Sequence, residues 1–184
     1  MSSVNTRDAV AVIAGAVREP GGTWADLGAG TGTFTRALAE LLGATSRIYA
    51  VDRDAADIDA LKRWSVREAP NVIPVEADFT RALDFPQLHE SLLDGMLLAN
   101  ALHFVRDQDA VLTRLVRHVR PGGRIVLVEY DRRAASRWVP YPIPVADLPA
   151  LADAAGLSKP EVVGTRASAY KGVLYAAVAT RQLL

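Results

Sequence analysis

The sequence predicts an α/β protein: a doubly wound, mostly parallel seven-stranded sheet with helices on both faces and an antiparallel hairpin at its C-terminal end. Three observations predict it. Short, near-continuous apolar runs alternate with segments of helical period along the first two thirds of the chain, the pattern of a parallel sheet covered on both sides. The last two β-rich runs, EVVGTR and GVLYAAVAT, follow each other with no helix between them, which calls for an antiparallel pair at one edge. No repeat, charge run or low-complexity linker divides the 184 residues, half of them hydrophobic, so residues 1–184 read as one domain with a core of its own.

The elements follow in order. A lead-in helix occupies residues 1–22: Val10, Ile13 and Val17 recur at helical spacing behind candidate caps Asn5 and Thr6, and Pro20-Gly21-Gly22 ends it. Its apolar stretch AVAVIAGAV is well short of the roughly 20 residues a membrane span needs. Arg7 is cancelled by Asp8, where a signal peptide wants a positive start. TWADLG is the first strand and GTFTRALAELLG the helix after it; RIYAVD and DAADIDALKRWSVREA repeat the unit. NVIPVEAD is the third strand, a short helical piece follows around residues 86–92, and DGMLLANA is the fourth strand. A helix from about Asp107 buries Val111, Leu112, Leu115, Val116 and Val119 and stops at Pro121-Gly122. GRIVLVEY is the fifth strand, residues 131–145 form a linker, and a helix near residues 145–155 precedes the hairpin.

Composition removes several function classes. Lys+Arg and Asp+Glu balance at 21 each, so there is no global electrostatic case for nucleic acid or an anionic membrane as partner. There is no cysteine, which excludes disulfides, thiolate catalysis and cysteine-ligated zinc, and fits a cytoplasmic protein.

Chemistry concentrates at residues 25–34, ADLGAGTGTF. Three glycines at alternate positions let the backbone turn tightly and let a ligand approach the main chain, where a helix N-terminus favours a carboxylate or phosphate. A dinucleotide loop would read Gly-x-Gly-x-x-Gly. Here Thr33 stands where the third glycine belongs, and the pattern is Asp26-x-Gly28-x-Gly30-x-Gly32. A carboxylate at the end of the first strand suits an ammonium group and is a poor neighbour for pyrophosphate. Asp52 closes the second strand, where it can accept both hydroxyls of a ribose. Asp78 closes the third, where it can accept from an adenine amino group while Phe79 offers its backbone N–H. Each alone reads equally well as a cap; together they set three acids on the rim where such sheets bind ligands.

With these motifs in hand, the sequence resembles the class I S-adenosylmethionine-dependent methyltransferases, of the small stand-alone bacterial type, along nearly its whole length. DLGAGTG, YAVDRD, EADFT, LLDGMLLANALHFV and VRPGGRIVLVEY carry the resemblance, with VADLPALADAAGL and the β-rich end as the closing helix and hairpin. It implies a Rossmann-like fold, S-adenosylmethionine as cofactor and S-adenosylhomocysteine as product; no Asp, Asn and Glu set is clear enough to argue a magnesium site, so no metal is expected. It implies that Gly28, Gly30 and Gly32, with Asp26 beside them, hold the methionine part, Asp52 the ribose, and Asp78 with Phe79 the adenine. Asn100 is expected to offer its backbone carbonyl to the methionine amino group. Arg53 departs from the apolar residue many relatives place against the adenine, though its aliphatic stem can cover the ring.

The acceptor side is less defined. His103, just past the fourth strand, is a candidate general base or a residue that shapes the pocket. Glu129 is a candidate base, anchor or structural group, and Tyr130 faces the acceptor beside it. His89 and His118 read as surface residues in helical surroundings. The linker DRRAASRWVPYPIP sets Arg132, Arg133 and Arg137 near Trp138 and Tyr141. It reads either as a contact for a flat or carboxylate-bearing molecule or as a solvated basic turn whose tryptophan plugs the core or a subunit contact. The acceptor pocket is then either open or completed by a second copy in a homodimer, with Tyr170 as a further candidate for its wall. The leading function is methyl transfer to a small molecule; the alternatives are a cofactor-binding protein without transferase activity and a nicotinamide-dependent oxidoreductase. A nucleic-acid substrate is disfavoured by the neutral charge and by the absence of an Asn-Pro-Pro-Tyr or Asp-Pro-Pro-Tyr signature.

Overall fold

A computed structural model describes residues 4–88, 92–131, 134–167 and 172–183. Its centre is a seven-stranded sheet made of β1 (Thr23–Leu27), β2 (Arg47–Asp52), β3 (Val72–Glu76), β4 (Leu93–Ala99), β5 (Val119–Asp131), β6 (Glu161–Ala167) and β7 (Val173–Thr180), in the order β3-β2-β1-β4-β5-β7-β6. The first five strands run parallel, while β7 pairs antiparallel with both β5 and β6. Strand order reverses between β1 and β4, where the two halves of the sheet diverge and a crevice opens.

Side chains of successive strand residues point to opposite faces, and the core divides accordingly. Ile48, Ala50, Leu97, Val126 and Val128 pack under α1 (Thr6–Ile13), α2 (Thr33–Leu42) and α3 (Ala55–Glu68). Tyr49, Val51, Met96, Leu98, Ile125 and Leu127 pack under α4 (Gln108–Val116) and α5 (Leu148–Ala154). Val111, Leu112, Leu115, Val116 and Val119 are all buried, as their spacing predicts. Pro74 lies in β3, an edge strand, where its missing N–H removes no central ladder bond.

The structure corrects several boundaries. Asn5 caps α1 through a capping box with Asp8, but the helix stops at Ile13, well before Pro20. Gly15 there lies so close to β6 that a Cβ would stand 2.9 Å from the Val163 carbonyl oxygen. No helix forms at residues 86–88, because Gln87 has φ 62, outside the right-handed region. The helix expected to run to Pro121 ends at Val116, and β5 starts at Val119. Pro121, Gly122 and Gly123 are absorbed as an irregularity in the β4–β5 pairing, whose register jumps from Leu93↔Val119 to Gly95↔Arg124. Among the described residues no helix is long and apolar enough to cross a membrane.

Candidate functional site

A cleft of about 430 Å³ opens at the carboxyl ends of the parallel strands. Six of the residues singled out in the sequence line it: Gly28, Asp52, Arg53, Asp78, Phe79 and Asn100. Asp26, Gly30 and Gly32 are not part of its wall. Phe104, which the sequence reading passed over, lines it as well.

The glycine loop is a set of left-handed residues. Gly28 (φ 76) donates its N–H to the Val51 carbonyl at 2.8 Å, and a Cβ on it would fall 2.7 Å from the Cβ of Ala101. Gly30 (φ 51) faces open space, with Asp57 Oδ2 the nearest atom to an added Cβ at 3.9 Å. Gly32 is the N-cap of α2, and a Cβ there would strike Leu61 of α3. Its role is the close approach of two helices.

Two of the acids are held by backbone N–H groups. Asp52 accepts the Gly30 N–H on Oδ2 at 2.8 Å and the Asp54 N–H on Oδ1 at 2.9 Å, so both oxygens are oriented while each keeps a lone pair for a further donor. Asp78 Oδ1 accepts the Thr80 hydroxyl at 2.6 Å and the Thr80 N–H at 2.9 Å. The Thr80 hydroxyl holds its carboxyl below the ordinary value, helped by Arg81 and Arg53.

Asp26 is different. It is buried, accepts the Thr35 hydroxyl on Oδ2 at 2.7 Å, and burial pushes its pKa up to about 7. Its Oδ1 has no hydrogen-bond partner, and neither does the buried Oδ1 of Asn100. Asn100 itself is held at φ 54, a conformation that costs a non-glycine residue energy and often marks a functional site. Asp26 and Asn100 come from neighbouring strands, β1 and the end of β4. Two buried acceptors without donors are costly unless a ligand supplies the donors.

On the β5 side of the cleft, His103 and Glu129 form a buried pair. His103 Nδ1 lies 2.6 Å from Glu129 Oε2, and the His103 N–H donates to Oε1 at 3.2 Å. Burial raises the Glu129 carboxyl above its ordinary value, and the imidazole works against that rise. Neither residue lines the cleft wall, but the adjacent Phe104 does, with its ring centroid 4.4 Å from that of His103. The half-buried Tyr130 ring stands 6.2 Å from His103.

The linker does not plug the core with its tryptophan. Ser136 and Val139 exchange backbone hydrogen bonds at 3.0 and 3.1 Å, closing a turn that carries Arg137 and Trp138 at its exposed tip. The Tyr141 N–H donates to the His103 carbonyl at 3.0 Å, and the Tyr175 hydroxyl donates to the Ile143 carbonyl at 2.7 Å. His118 is not a surface residue within a helix: it follows α4, is half-buried, and meets Phe85 edge-on at 5.4 Å. His89, Arg132, Arg133 and Tyr170 lie outside the described residues.

Sequence reasoning missed the His103–Glu129 bond and the two donorless acceptors. The partners are 26 residues apart, and the one signal available was that both stand at the ends of strands four and five.

The family model for the methyltransferase domain matches residues 25–123, more than half of the chain. The ubiquinone/menaquinone biosynthesis C-methyltransferase of Shewanella halifaxensis is 29% identical over 116 residues, covering 61% of this chain and 44% of that protein. The chain thus spans less than half the length of this curated relative. The structure of the Burkholderia thailandensis 1,6-didemethyltoxoflavin-N1-methyltransferase, with 1,6-didemethyltoxoflavin and S-adenosylhomocysteine bound, superimposes with a TM-score of 0.73 at 22% identity, over 97% of this chain and 78% of that one. YcgJ of Bacillus subtilis superimposes with a TM-score of 0.76 at 12% identity, over 97% of this chain and 100% of that one. The glycine loop, the acids at the strand ends and the matched region coincide, and the chain belongs to the class I S-adenosylmethionine-dependent methyltransferase family.

Proposed function

We propose that the protein transfers a methyl group from S-adenosylmethionine to a small-molecule acceptor in the cytoplasm, releasing S-adenosylhomocysteine. The observation that carries this reading is the pair of donorless buried acceptors, Asp26 Oδ1 and Asn100 Oδ1, taken with the Asp52 carboxylate that two backbone N–H groups orient at the cleft. An α-ammonium group supplies three donors for the first two, and ribose hydroxyls supply donors for the third. The residues present therefore fit the group. The Asn100 side chain joins the backbone carbonyl expected from sequence as a contact for that ammonium.

In this reading Gly28, on the cleft wall, and Gly30, whose backbone is open, hold the methionine part, Gly32 keeps the loop tight, Asp78 and the Phe79 N–H meet the adenine, and the Arg53 stem covers it. When bound, the cofactor supplies a sulfonium methyl as electrophile. The chain's task is then to align a nucleophile behind that methyl, and positioning alone is worth up to roughly 7–11 kcal/mol. For an acceptor that must lose a proton, His103 takes it at Nε2, because Glu129 fixes the tautomer by accepting from Nδ1–H. Tyr130 and residues 131–145 form the acceptor side, and residues 1–184 act as one methyltransferase domain.

Calorimetry with S-adenosylhomocysteine and with NAD tests the cofactor. S-adenosylhomocysteine is expected to bind saturably and NAD is not. Saturable NAD binding with no response to S-adenosylhomocysteine would overturn the assignment. Methyl transfer is then read with labelled donor against panels of phenols, amines and carboxylates.

A further inference from the structure

We infer that Phe104, Trp138 and Tyr141, together with Arg137, form a recognition platform for a planar aromatic acceptor that carries an anionic group. The inference rests on the methyltransferase reading for the word acceptor; the surface itself stands on separate observations.

Among the described residues the exposed aromatic side chains are these three: Phe104 at 55%, Trp138 at 63% and Tyr141 at 39%. The backbone ties two of them together and places the third within short reach. Phe104 lines the cleft; the residue before it, His103, accepts the Tyr141 N–H; and Trp138 is three residues from Tyr141, a reach of at most about 11 Å. The segment that presents them is anchored. Val139 and Ile143 are buried, Tyr175 bonds the Ile143 carbonyl, and Gln108 Nε2 donates to the Tyr141 carbonyl at 2.8 Å. Exposure here is the property of a held surface.

Charge supplies the second half of the argument. The Arg137 guanidinium lies 4.6 Å from the centroid of the Trp138 ring, covering one face of an indole that is otherwise open to solvent. Arg137 has no carboxylate partner among the described residues, so its N–H donors are free. A guanidinium stacked on an indole presents a flat apolar surface and a fork of donors together. A planar ring satisfies the first and a carboxylate or similar anion the second. An indole 63% exposed and stacked under a guanidinium with no carboxylate partner among the described residues, on a segment bonded to the residue before a cleft-lining phenylalanine, is a poor design for a solvated turn.

The test uses 2-naphthoate as probe on the full chain, with and without S-adenosylhomocysteine, measured by calorimetry. Its controls are 2-naphthamide, which is planar and neutral, and decahydronaphthalene-2-carboxylate, which is anionic and not planar. Naphthoate is expected to bind about 5-fold or more tightly than either control. Trp138→Ala and Arg137→Ala are each expected to weaken it about 5-fold or more, with S-adenosylhomocysteine affinity within 2-fold of the parent. Arg137→Ala at the exposed tip keeps the test open if Trp138→Ala does not fold. Equal binding of the saturated acid, or variants that bind naphthoate like the parent, would overturn the inference. If Trp138→Ala instead splits a dimer in sedimentation and leaves naphthoate binding alone, the surface is an interface between copies and the inference fails. Failure of S-adenosylhomocysteine to bind, with the naphthoate pattern intact, would remove the methyltransferase reading and leave the platform standing.

Discussion

Asp26 is the residue whose behaviour most directly probes the site, because it is a buried carboxylate with one oxygen unpartnered. Its pKa rises from 3.8 to about 7 on folding, chiefly through desolvation, with the Thr35 hydroxyl opposing the rise. The sign follows from which state binds more protons. Below the unfolded pKa both states are protonated and the group costs nothing. As pH rises towards the folded pKa, the unfolded chain has ionised while the folded chain resists. Stability therefore falls between about pH 4 and pH 7 and is level above that. At 1.36 kcal/mol per pH unit, the full penalty is ~4 kcal/mol, of which roughly 2.5 kcal/mol accrues between pH 5 and pH 8. Asp26→Asn keeps the shape and removes the charge. Urea unfolding of parent and variant at pH 5 and pH 8 is expected to show the variant gaining on the parent by about 2.5 kcal/mol over that interval. Affinity for S-adenosylhomocysteine supplies the other half. An ammonium beside Oδ1 favours the carboxylate, so the parent is expected to bind more tightly as pH rises through 7, and the variant to bind weakly with little pH dependence. Parallel stability curves for the two proteins would refute the claim that burial raises the Asp26 carboxyl; a strong pH dependence retained in the variant would move the ammonium elsewhere.

Other changes test the neighbouring parts. Asp52→Ala removes charge-assisted bonds worth about 1.5–3 kcal/mol, so S-adenosylhomocysteine affinity is expected to fall roughly 10- to 150-fold by calorimetry while the fold persists. Gly28→Ala forces a Cβ to within 2.7 Å of Ala101 at φ 76, and is expected to cost at least ~1–2 kcal/mol in urea unfolding from the backbone strain alone. Glu129→Ala leaves the His103 ring and backbone N–H without their buried acceptor, for an expected loss of about 3 kcal/mol or more. Glu129→Gln keeps an acceptor for the backbone N–H, and its stability should lie between those of the parent and Glu129→Ala.

The sequence by itself determined the order of elements, the parallel sheet with its closing hairpin, and which strand ends carry the acids. These are written in local signals: apolar runs of strand length, helical spacing, and Asp or Gly at the points where strands stop. It also determined that the loop at residues 28–32 is unfit for the dinucleotide pattern, because one glycine falls a position early. Local signals failed where distant chain competes with local preference. Asn5 marks the start of α1, but the helix stops at Ile13, two residues before Gly15 meets β6, and the Pro121–Gly123 run lies inside β5, which pairs with β4. Only the tertiary structure paired His103 with Glu129, since a bond across 26 residues leaves no periodic trace. Only the tertiary structure left Asp26 Oδ1 and Asn100 Oδ1 without donors, because hydrogen-bond satisfaction depends on every group packed nearby. The same holds for Trp138: its type was visible in the sequence, but whether it plugged the core or faced solvent was decided by the buried Val139 and Ile143, which hold the turn at the surface and leave the indole outside.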